Sequence, residues 1–356
     1  MENENLITKL LSWYHVFKRD LPWRKTDDPY KIWLSEIILQ QTRVIQGLPY
    51  YERFINIFPR IEDLANAPLQ EVLRHWQGLG YYSRARNLHA CAQFIVQELH
   101  GNFPKTYKSL LKLPGVGPYT AAAIASFAYN EKVPAIDGNV MRVLSRLYGI
   151  EADVKVAKNQ RLYFELGQKI MPEDRADIFN QAIMEFGALH CLPANPKCQD
   201  CPLQNMCYAY DKGLQVVLPV RSKAPKVRNR YFNYIVFCEG GSLHLNERGP
   251  KDIWQGLYDF YLVETKEPGS PELIGEDPVV KGIMEDGAVL ESESVLFKHL
   301  LSHQRINAKF FTINLNKHTD TEILLNAGLK GFSKEETEKL PKPVLIDNFL
   351  KNFSAC

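Results

Sequence analysis

The chain has 356 residues, of which 45% are hydrophobic and 24% charged, so it is long enough for two or three folded domains and carries no disorder signature. Its N-terminal stretch lacks the pattern of a signal peptide, and no apolar run approaches the roughly 20 residues of a membrane span, so we expect a cytoplasmic protein without membrane contact. The net charge of +2 does not identify a partner, because a phosphate-binding surface depends on local clusters of basic residues.

Helical periodicity dominates the first part of the chain and predicts an all-α region over residues 1–212. The helical segments are separated by short turns that contain Pro or Gly. They read TKLLSWYHVF, YKIWLSEIILQQTRVIQ, LQEVLRHWQGL, RARNLHACAQFIVQEL and YTAAAIASFAY.

The last part of the chain has a different pattern. The stretch RSKAPKVRNR has five basic residues, no acidic residue and a proline, which is typical of an exposed linker, here placed at 213–230. Beyond it, strand-like runs and a final amphipathic segment predict a smaller α+β domain over 231–356. The strand-like runs are YFNYIVFC, SLHLNER, LYDFYLVE and AKFFTINL, and the amphipathic segment is VLIDNFLKNF.

Glu36 is the acidic residue of the second helical segment, YKIWLSEIILQQTRVIQ. On a helix, Glu36 shares a face with Gln40 and Arg43, whereas Trp33 and Ile37 lie on the buried side. Periodicity alone therefore favours a glutamate exposed to solvent.

Two further stretches combine glycines with polar residues. In LPGVGPYTAAAIASFAY, Gly115 and Gly117 form a tight turn whose exposed amides, at the start of a helix, can bind phosphate. A simple turn between two helices is the alternative. In AIDGNVMRVLSRL, Asp137 can cap the helix that begins near Val140.

Four of the seven cysteines are concentrated in CLPANPKCQDCPLQNMC. In a reducing cytosol such a cluster indicates metal ligation rather than disulfides. Its spacing, C-x6-C-x2-C-x5-C, suits an iron-sulfur cubane whose four irons each take one thiolate, and a zinc site is the alternative. The ligands would be Cys191, Cys198, Cys201 and Cys207.

This cysteine spacing resembles that of the endonuclease III and MutY type of DNA glycosylases, which hold a 4Fe-4S cluster beside their DNA-binding surface. The LPGVGPYT stretch likewise resembles their helix-hairpin-helix motif. The resemblance implies a six-helix part at about 29–135 and an iron-sulfur part built from about 1–28 with 136–212. It also implies that Gly115 and Gly117 bind the DNA backbone without choosing a base, which is how phosphate contacts act in general.

The same resemblance gives Asp137 and Glu36 catalytic roles. An aspartate at the position of Asp137 faces the sugar of an extruded nucleotide, and Asn139 orients that carboxylate or a water. The run SEIILQQT resembles the MutY branch, in which the glutamate enters an adenine pocket. Adenine leaves deoxyribose readily only when a ring nitrogen is protonated, so Glu36 is the candidate acid. An ionised Asp137 would stabilise positive charge on the sugar or attach to it transiently.

The residues after the hairpin predict a hydrolase without lyase chemistry. The lyase members of this superfamily have a lysine where this chain has Tyr119, two positions after Gly117. Because a phenol cannot form a Schiff base, we expect a monofunctional glycosylase. Tyr119 either lines the pocket or serves in helix packing.

Other positions take their roles from the family. Those expected to line the adenine pocket are Arg19, Leu21, Trp23 and Gln181. Leu79 and Tyr81 are expected to bind the substrate, and the tyrosine is expected to wedge into the base stack, which can offset part of the cost of extruding a base. Gln41 and Thr42 are expected to contact the bases opposite the adenine.

The C-terminal domain resembles the last domain of MutY, which has the fold of the MutT (Nudix) hydrolases. The stretch KDIWQGLYDF carries this resemblance, and the MutT catalytic signature is absent from residues 240–300. We therefore expect a lesion-recognition module without hydrolase activity. In FKHLLSHQRIN, Ser302 and His303 take the place of a family element that tests 8-oxoguanine, although Leu301 replaces its phenylalanine.

Together these features predict a monomeric, MutY-type adenine DNA glycosylase, bacterial and nucleoid-associated. Its partner would be double-stranded DNA with adenine opposite 8-oxoguanine, and also adenine opposite guanine. An endonuclease III-like glycosylase/lyase for oxidised pyrimidines is disfavoured by Tyr119 and by the extra domain. A catalytically silent iron-sulfur DNA-binding protein is disfavoured because Glu36 and Asp137 are both present.

Overall fold

The computed structural model describes residues 2–222, 227–301, 303–316, 319 and 321–353. The chain forms two compact units, one of residues 1–66 with 87–223 and the other of residues 67–86 with 224–356. The predicted combination of a helical region with a C-terminal α+β region is confirmed. Within the described residues, no helix is both long enough and apolar enough to cross a membrane.

Helices make up the first part of the described chain, as predicted. They are α1 (Glu2–Phe17), α2 (Pro29–Leu39), α3 (Val44–Ile57), α4 (Ile61–Asn66), α5 (Leu69–Trp76), α6 (Ser83–Leu99), α7 (Tyr107–Leu110), α8 (Pro118–Tyr129), α9 (Gly138–Tyr148), α10 (Gln160–Ile170), α11 (Ala176–Leu189) and α12 (Tyr208–Asp211).

The periodicity of YKIWLSEIILQQTRVIQ predicted one helix, but the structure forms two, α2 and α3. Helix α2 starts at Pro29, where the Asp28 side chain accepts a 2.9 Å hydrogen bond from the amide of Tyr30. It ends at Leu39, because Gln41 takes a left-handed backbone conformation with φ of 55°. The run between α2 and α3 has no Gly or Pro to mark this break, so the pattern gave no sign of it.

Helices α8 and α9 begin at the two motifs that the sequence singled out. Gly117 precedes α8, which has Pro118 at its first position, where the missing amide hydrogen costs nothing. Asp137 caps α9 through a 2.7 Å bond from the amide of Val140, and α9 ends at Tyr148, followed by Gly149 in a left-handed conformation.

A hydrophobic core joins four helices of this unit. Its buried members come mainly from α1, α9, α10 and α11. Among them are Leu10 of α1, Leu144 of α9, Tyr163 of α10 and Phe179 of α11, each at most 2% exposed. Since burying one such side chain contributes about 1.5–3 kcal/mol, this core fixes the direction in which α9 starts, and with it the position of Asp137.

Besides α5, the described residues of the second unit form a mixed sheet and five further helices. The strands are β1 (Arg228–Glu239), β2 (Ser242–Glu247), β3 (Tyr258–Asp259), β4 (Tyr261–Thr265), β5 (Val289–Glu293), β6 (Phe297–Leu300), β7 (Gln304–Asn314) and β8 (Lys330–Phe332). The helices are α13 (Pro271–Gly275), α14 (Pro278–Glu285), α15 (Glu322–Asn326), α16 (Lys334–Lys339) and α17 (Val344–Leu350).

Strands β1 and β7 form the centre of the sheet. They pair in parallel from Arg228 with Gln304 to Cys238 with Asn314. Strands β2 and β4 run antiparallel to β1, while β5 and β6 run antiparallel to β7. The predicted strand LYDFYLVE is divided into β3, which pairs with β2, and β4, which pairs with β1.

Candidate active site

Glu36 lies inside the protein, not in solvent. It is 6% exposed, so the exposed position that periodicity favoured is wrong. The hydroxyl of Tyr119, on α8, donates a 2.6 Å hydrogen bond to Oε2 of Glu36. Burial raises the pKa of Glu36 to about 7. The hydrogen bond from Tyr119 and the charge of Arg24 lower this pKa and the charge of Asp137 raises it, but each of these effects is smaller than that of burial. A carboxylic acid with this pKa is substantially protonated at neutral pH.

Asp137 presents a second carboxyl group at the start of α9. Its Oδ1 accepts the capping bond from Val140, and its Oδ2 accepts a 2.7 Å bond from Nδ2 of Asn139. Burial raises the pKa of Asp137 above its ordinary value, and these hydrogen bonds oppose the rise because they favour the ionised form. The predicted capping role is confirmed, and it leaves the carboxylate oriented by donors on both oxygens.

Arg142 holds the amide of Asn139 in place. Its Nη2 donates to Oδ1 of Asn139 at 2.8 Å and to the carbonyl of Gly187 at 2.6 Å. Its Nε donates to the carbonyl of Cys191 at 2.8 Å. An arginine can only donate, so the oxygen Oδ1 of Asn139 faces Arg142, and the amide nitrogen Nδ2 of Asn139 is left to donate to Asp137. Arg142 was not predicted from the sequence, although its position five residues after Asp137 and one helical turn past Asn139 was an available signal.

The two carboxyl groups border a common cavity. A space of about 1070 Å³ is lined by Glu36, Tyr119 and Asp137 together with the hairpin glycines and the turn at Gln41. A second space of about 670 Å³ is lined by the same three side chains and by the predicted adenine-pocket residues. Those residues are Arg19, Leu21, Trp23 and Gln181. The structure thus brings the helical region's predicted catalytic and pocket residues together around adjoining cavities.

An ion-pair network forms one wall of the smaller cavity. Glu185, on α11 and 1% exposed, accepts bonds from Nε of Arg19 at 2.8 Å and from Nη2 of Arg24 at 2.8 Å. Burial would raise the pKa of Glu185, but the bonds from the two arginines outweigh it and hold the pKa at about 2. Glu185 is therefore ionised. Neither Glu185 nor Arg24 was predicted from the sequence as a residue of the site.

Gln181 and the apolar pocket residues are also held in place. The hydroxyl of Tyr14 donates a 2.9 Å bond to Oε1 of Gln181, which fixes the orientation of that amide. Trp23 is 8% exposed and packs edge-on against Tyr51, with ring centroids 5.0 Å apart. Leu21 is 5% exposed. These contacts give the pocket rigid sides.

The hairpin turn and the turn after α2 both lie at the mouth of the larger cavity. Gly115 has φ of 70°, and a Cβ there would lie 2.8 Å from Cβ of Asn87, so the position requires glycine. Gly117 is exposed and has open space where a side chain would lie. Gln41 and Thr42 border the same opening.

The remaining predicted recognition residues belong to the second unit. Tyr81 is 45% exposed, whereas Leu79 is 5% exposed. His303 is exposed and precedes β7, with its carbonyl accepting a 3.1 Å bond from the amide of Arg228. Ser302 lies outside the described residues.

The four predicted metal-ligating cysteines lie on the loop between α11 and α12 and are half-buried. Burial raises the pKa of Cys201 to about 12, and the other three thiols add to the rise, so all four lie within electrostatic range of one another. Arg146 contacts two of them: its Nη1 donates to Sγ of Cys191 at 3.3 Å, and its carbonyl accepts from Sγ of Cys207 at 3.5 Å. Among the described residues, no three His, Cys, Asp or Glu side chains are close enough together to hold a single metal ion.

Comparisons with known proteins agree on one family. Residues 34–169 match the HhH-GPD superfamily of base excision DNA repair proteins. The chain is 36% identical over 313 residues to an adenine DNA glycosylase of Buchnera aphidicola subsp. Baizongia pistaciae, which covers 86% of each chain. It is 44% identical over 274 residues to the adenine DNA glycosylase of Mus musculus, covering 74% of this chain and 52% of the mouse protein.

Solved structures resemble the helical part. A thermostable thymine-DNA glycosylase matches with a TM-score of 0.55 and 31% identity, covering 59% of this chain and 97% of that chain. A non-covalent endonuclease III–DNA complex matches with a TM-score of 0.51 and 23% identity, covering 60% of this chain and 98% of that chain. At this level of identity the second match shows a shared fold.

Proposed function

Because the chain belongs to the adenine DNA glycosylase family of base excision repair, we propose that its substrate is adenine opposite 8-oxoguanine, and also adenine opposite guanine. The observation that carries the proposed mechanism is the pairing of a buried, protonatable Glu36 with an oriented Asp137 on one cavity. Two carboxyl groups with separated roles are what glycosidic hydrolysis requires.

In this proposal Glu36 is the general acid. Tyr119 donates to Oε2 of Glu36, so the acidic proton resides on Oε1, which is the oxygen left to face the base. Transfer of that proton to a ring nitrogen of adenine makes the base a better leaving group. Tyr119 has no amine, so it supports hydrolysis without a Schiff base.

Asp137 acts on the sugar. As the glycosidic bond breaks, positive charge develops on the sugar, and the ionised carboxylate stabilises it or forms a transient bond to it. Both oxygens of Asp137 accept hydrogen bonds, from the amide of Val140 and from the side chain and amide of Asn139. A carboxylate has about four acceptor sites, so acceptor capacity is left for the substrate. Water then completes the hydrolysis.

The smaller cavity receives the adenine. Tyr14 fixes the amide of Gln181, whose NH2 group and remaining lone pair can hydrogen-bond to an edge of the base. Leu21 and Trp23 supply apolar walls, and the Arg19–Glu185–Arg24 network keeps them rigid. The amides at Gly115 and Gly117 bind the DNA backbone beside this pocket.

Residues 231–356, within the second unit, are the proposed MutT-like lesion-recognition domain. Tyr81 enters the base stack beside the lesion, and Leu79 contributes to substrate binding from the same turn. Ser302 and His303 test N7–H and O8 of the oxidised base. Gln41 and Thr42, from the turn after α2, contact the bases opposite the adenine.

A 4Fe-4S cluster is the proposed cofactor, held by Cys191, Cys198, Cys201 and Cys207. Four half-buried thiols on one loop that influence one another's pKa are a donor set that a cubane can use, with one thiolate for each iron. The cluster would fasten the loop between α11 and α12 and supplies no step of the reaction. The residues of the chain that link this loop to the active site are Arg142 and Asn139.

The excision rate is expected to depend on pH as a bell-shaped curve. Protonated Glu36 is lost as pH rises through its pKa of about 7, so the rate falls about tenfold per pH unit on the alkaline side. On the acid side the rate falls as Asp137, whose pKa is raised above its ordinary value, becomes protonated. Single-turnover rates from pH 5 to 9 check this, and a flat alkaline limb would contradict the role of Glu36.

Replacing Arg142 by Lys is expected to slow excision about tenfold, since a lysine keeps the charge but cannot contact Asn139, Gly187 and Cys191 together. The single-turnover rate measures the effect, and the visible absorbance of the cluster checks that the cysteine loop is intact. The exposed Arg60, which pairs with Asp63 and lines neither cavity, offers a matched Arg→Lys control with an expected wild-type rate. An unchanged rate in Arg142→Lys would contradict the orienting role.

Single-turnover excision on a panel of duplexes tests the proposed substrate. Adenine opposite 8-oxoguanine should react fastest, adenine opposite guanine more slowly, and adenine opposite thymine least. Equal rates for all three, or faster release of a damaged pyrimidine such as thymine glycol, would refute the proposal.

A further inference from the structure

The turn Gln77–Tyr82, between α5 and α6, has an unusual backbone. Gly78 and Gly80 have φ of 97° and 77°, and Tyr81 has φ of 49°, a left-handed conformation that is costly for a residue with a side chain. Such a conformation persists only where surrounding contacts determine it. The contacts around this turn therefore decide where the half-exposed ring of Tyr81 lies.

Contacts within the segment hold the middle of the turn. Nε1 of Trp76 donates a 3.0 Å bond to the carbonyl of Gly80, and Nη2 of Arg84 donates to the same carbonyl at 3.2 Å. The guanidinium of Arg84 also lies 5.6 Å from the ring centroid of Tyr81. Arg84 is 8% exposed, so its guanidinium serves the turn rather than facing solvent.

The two ends of the turn are held by one residue from the far end of the chain. The amide of Lys342 donates a 3.1 Å bond to Oε1 of Gln77. The hydroxyl of Tyr82 donates a longer, weaker bond of 3.5 Å to the carbonyl of Lys342. Residues 67–86 and 224–356 belong to the same compact unit, so these contacts lie within it.

Lys342 is itself firmly fixed. It is 2% exposed, and its ammonium group donates to the carbonyl of Thr337 and, at 2.8 Å, to that of Leu340, at the end of α16. The preceding residue, Pro341, accepts a 2.8 Å bond from the amide of Tyr258 in β3. The segment Pro341–Pro343 is thus a rigid strap tied to both a helix and a strand of the sheet unit.

We propose that Gln77, held by the Lys342 strap, is a positioning residue for Tyr81, so that the lesion-recognition unit itself sets the base-stack wedge. This inference rests on the proposed wedge role of Tyr81. Gln77 contacts no substrate in this scheme. Its side chain holds the first end of a strained turn through the hydrogen bond from the amide of Lys342. Without this bond, Tyr81 can leave the conformation that insertion into the base stack requires.

The test combines variants at Gln77 with the wedge itself. Gln77→Leu removes the acceptor for the Lys342 amide at similar side-chain size, and Gln77→Glu keeps an acceptor oxygen. Single-turnover excision opposite 8-oxoguanine should fall about five- to tenfold in Gln77→Leu and stay within about twofold of wild type in Gln77→Glu. Tyr82→Phe, which removes the second bond to Lys342, should show a smaller loss in the same direction.

Non-additivity separates positioning from general stability. In a Tyr81→Ala background, Gln77→Leu should cause no further loss, because the side chain that it positions is gone. Equal slowing in both backgrounds, or an unchanged rate in Gln77→Leu, would overturn the positioning role. A Tyr81→Ala protein as fast as wild type would instead refute the wedge itself, and this inference with it. Thermal unfolding of each variant verifies that the fold is retained.

Discussion

Replacing Glu36 by Gln is expected to lower the rate of adenine excision at pH 7 by about a thousandfold or more. Glutamine has the same shape and can still accept the hydrogen bond from Tyr119, but it has no proton to give to the base. The loss should appear in the single-turnover rate, while affinity for the lesion duplex should stay close to that of the wild type.

Glu52, an exposed glutamate of α3, provides a matched control for this variant. Glu52→Gln makes the same change of charge without touching the cavity, so its rate should equal that of the wild type. Glu36→Gln with a rate within tenfold of wild type would remove Glu36 from the role of acid.

Replacing Asp137 by Asn is expected to lower the excision rate by about a thousandfold or more, with little loss of stability. Asparagine is as good a helix cap as aspartate, so its side-chain oxygen can still accept from the amide of Val140. What it loses is the negative charge that stabilises the sugar. The single-turnover rate and the thermal unfolding midpoint, measured together, separate the catalytic role from the capping role.

Asp277, which caps α14 through the amides of Val279 and Val280, offers the control. Asp277→Asn makes the same substitution at a helix start in the other unit, and its excision rate should be unchanged. If Asp137→Asn instead excised adenine normally, or lost activity only in proportion to lost stability, Asp137 would be a cap and nothing more.

Local patterns predicted the parts of the site that depend on local structure. The hairpin glycines and the capping position of Asp137 follow from short stretches of sequence, and the structure bears out both turns. Strand β1 likewise contains the predicted run YFNYIVFC, and β7 contains all but the last residue of the predicted run AKFFTINL, whereas their parallel pairing was not predicted. The catalytic and recognition roles of these residues stay predictions.

Long-range packing is what single-sequence patterns miss. Glu36 appeared exposed because the helical pattern seemed to continue to Arg43, whereas α2 ends at Leu39 and Tyr119 covers the carboxyl from α8. Arg24 and Glu185 meet across 161 residues of sequence, a separation over which no periodicity carries information. The grouping of residues 67–86 with the sheet unit has the same cause, since it depends on contacts with the strap at Pro341–Pro343.

The most direct test of the central claim is the product formed from a duplex with adenine opposite 8-oxoguanine. We predict free adenine and an intact strand that breaks at the abasic site only on alkaline treatment, with no protein–DNA adduct after borohydride reduction. A trapped Schiff base as the main product, or strand cleavage without alkali, would contradict a monofunctional hydrolase that acts through Glu36 and Asp137.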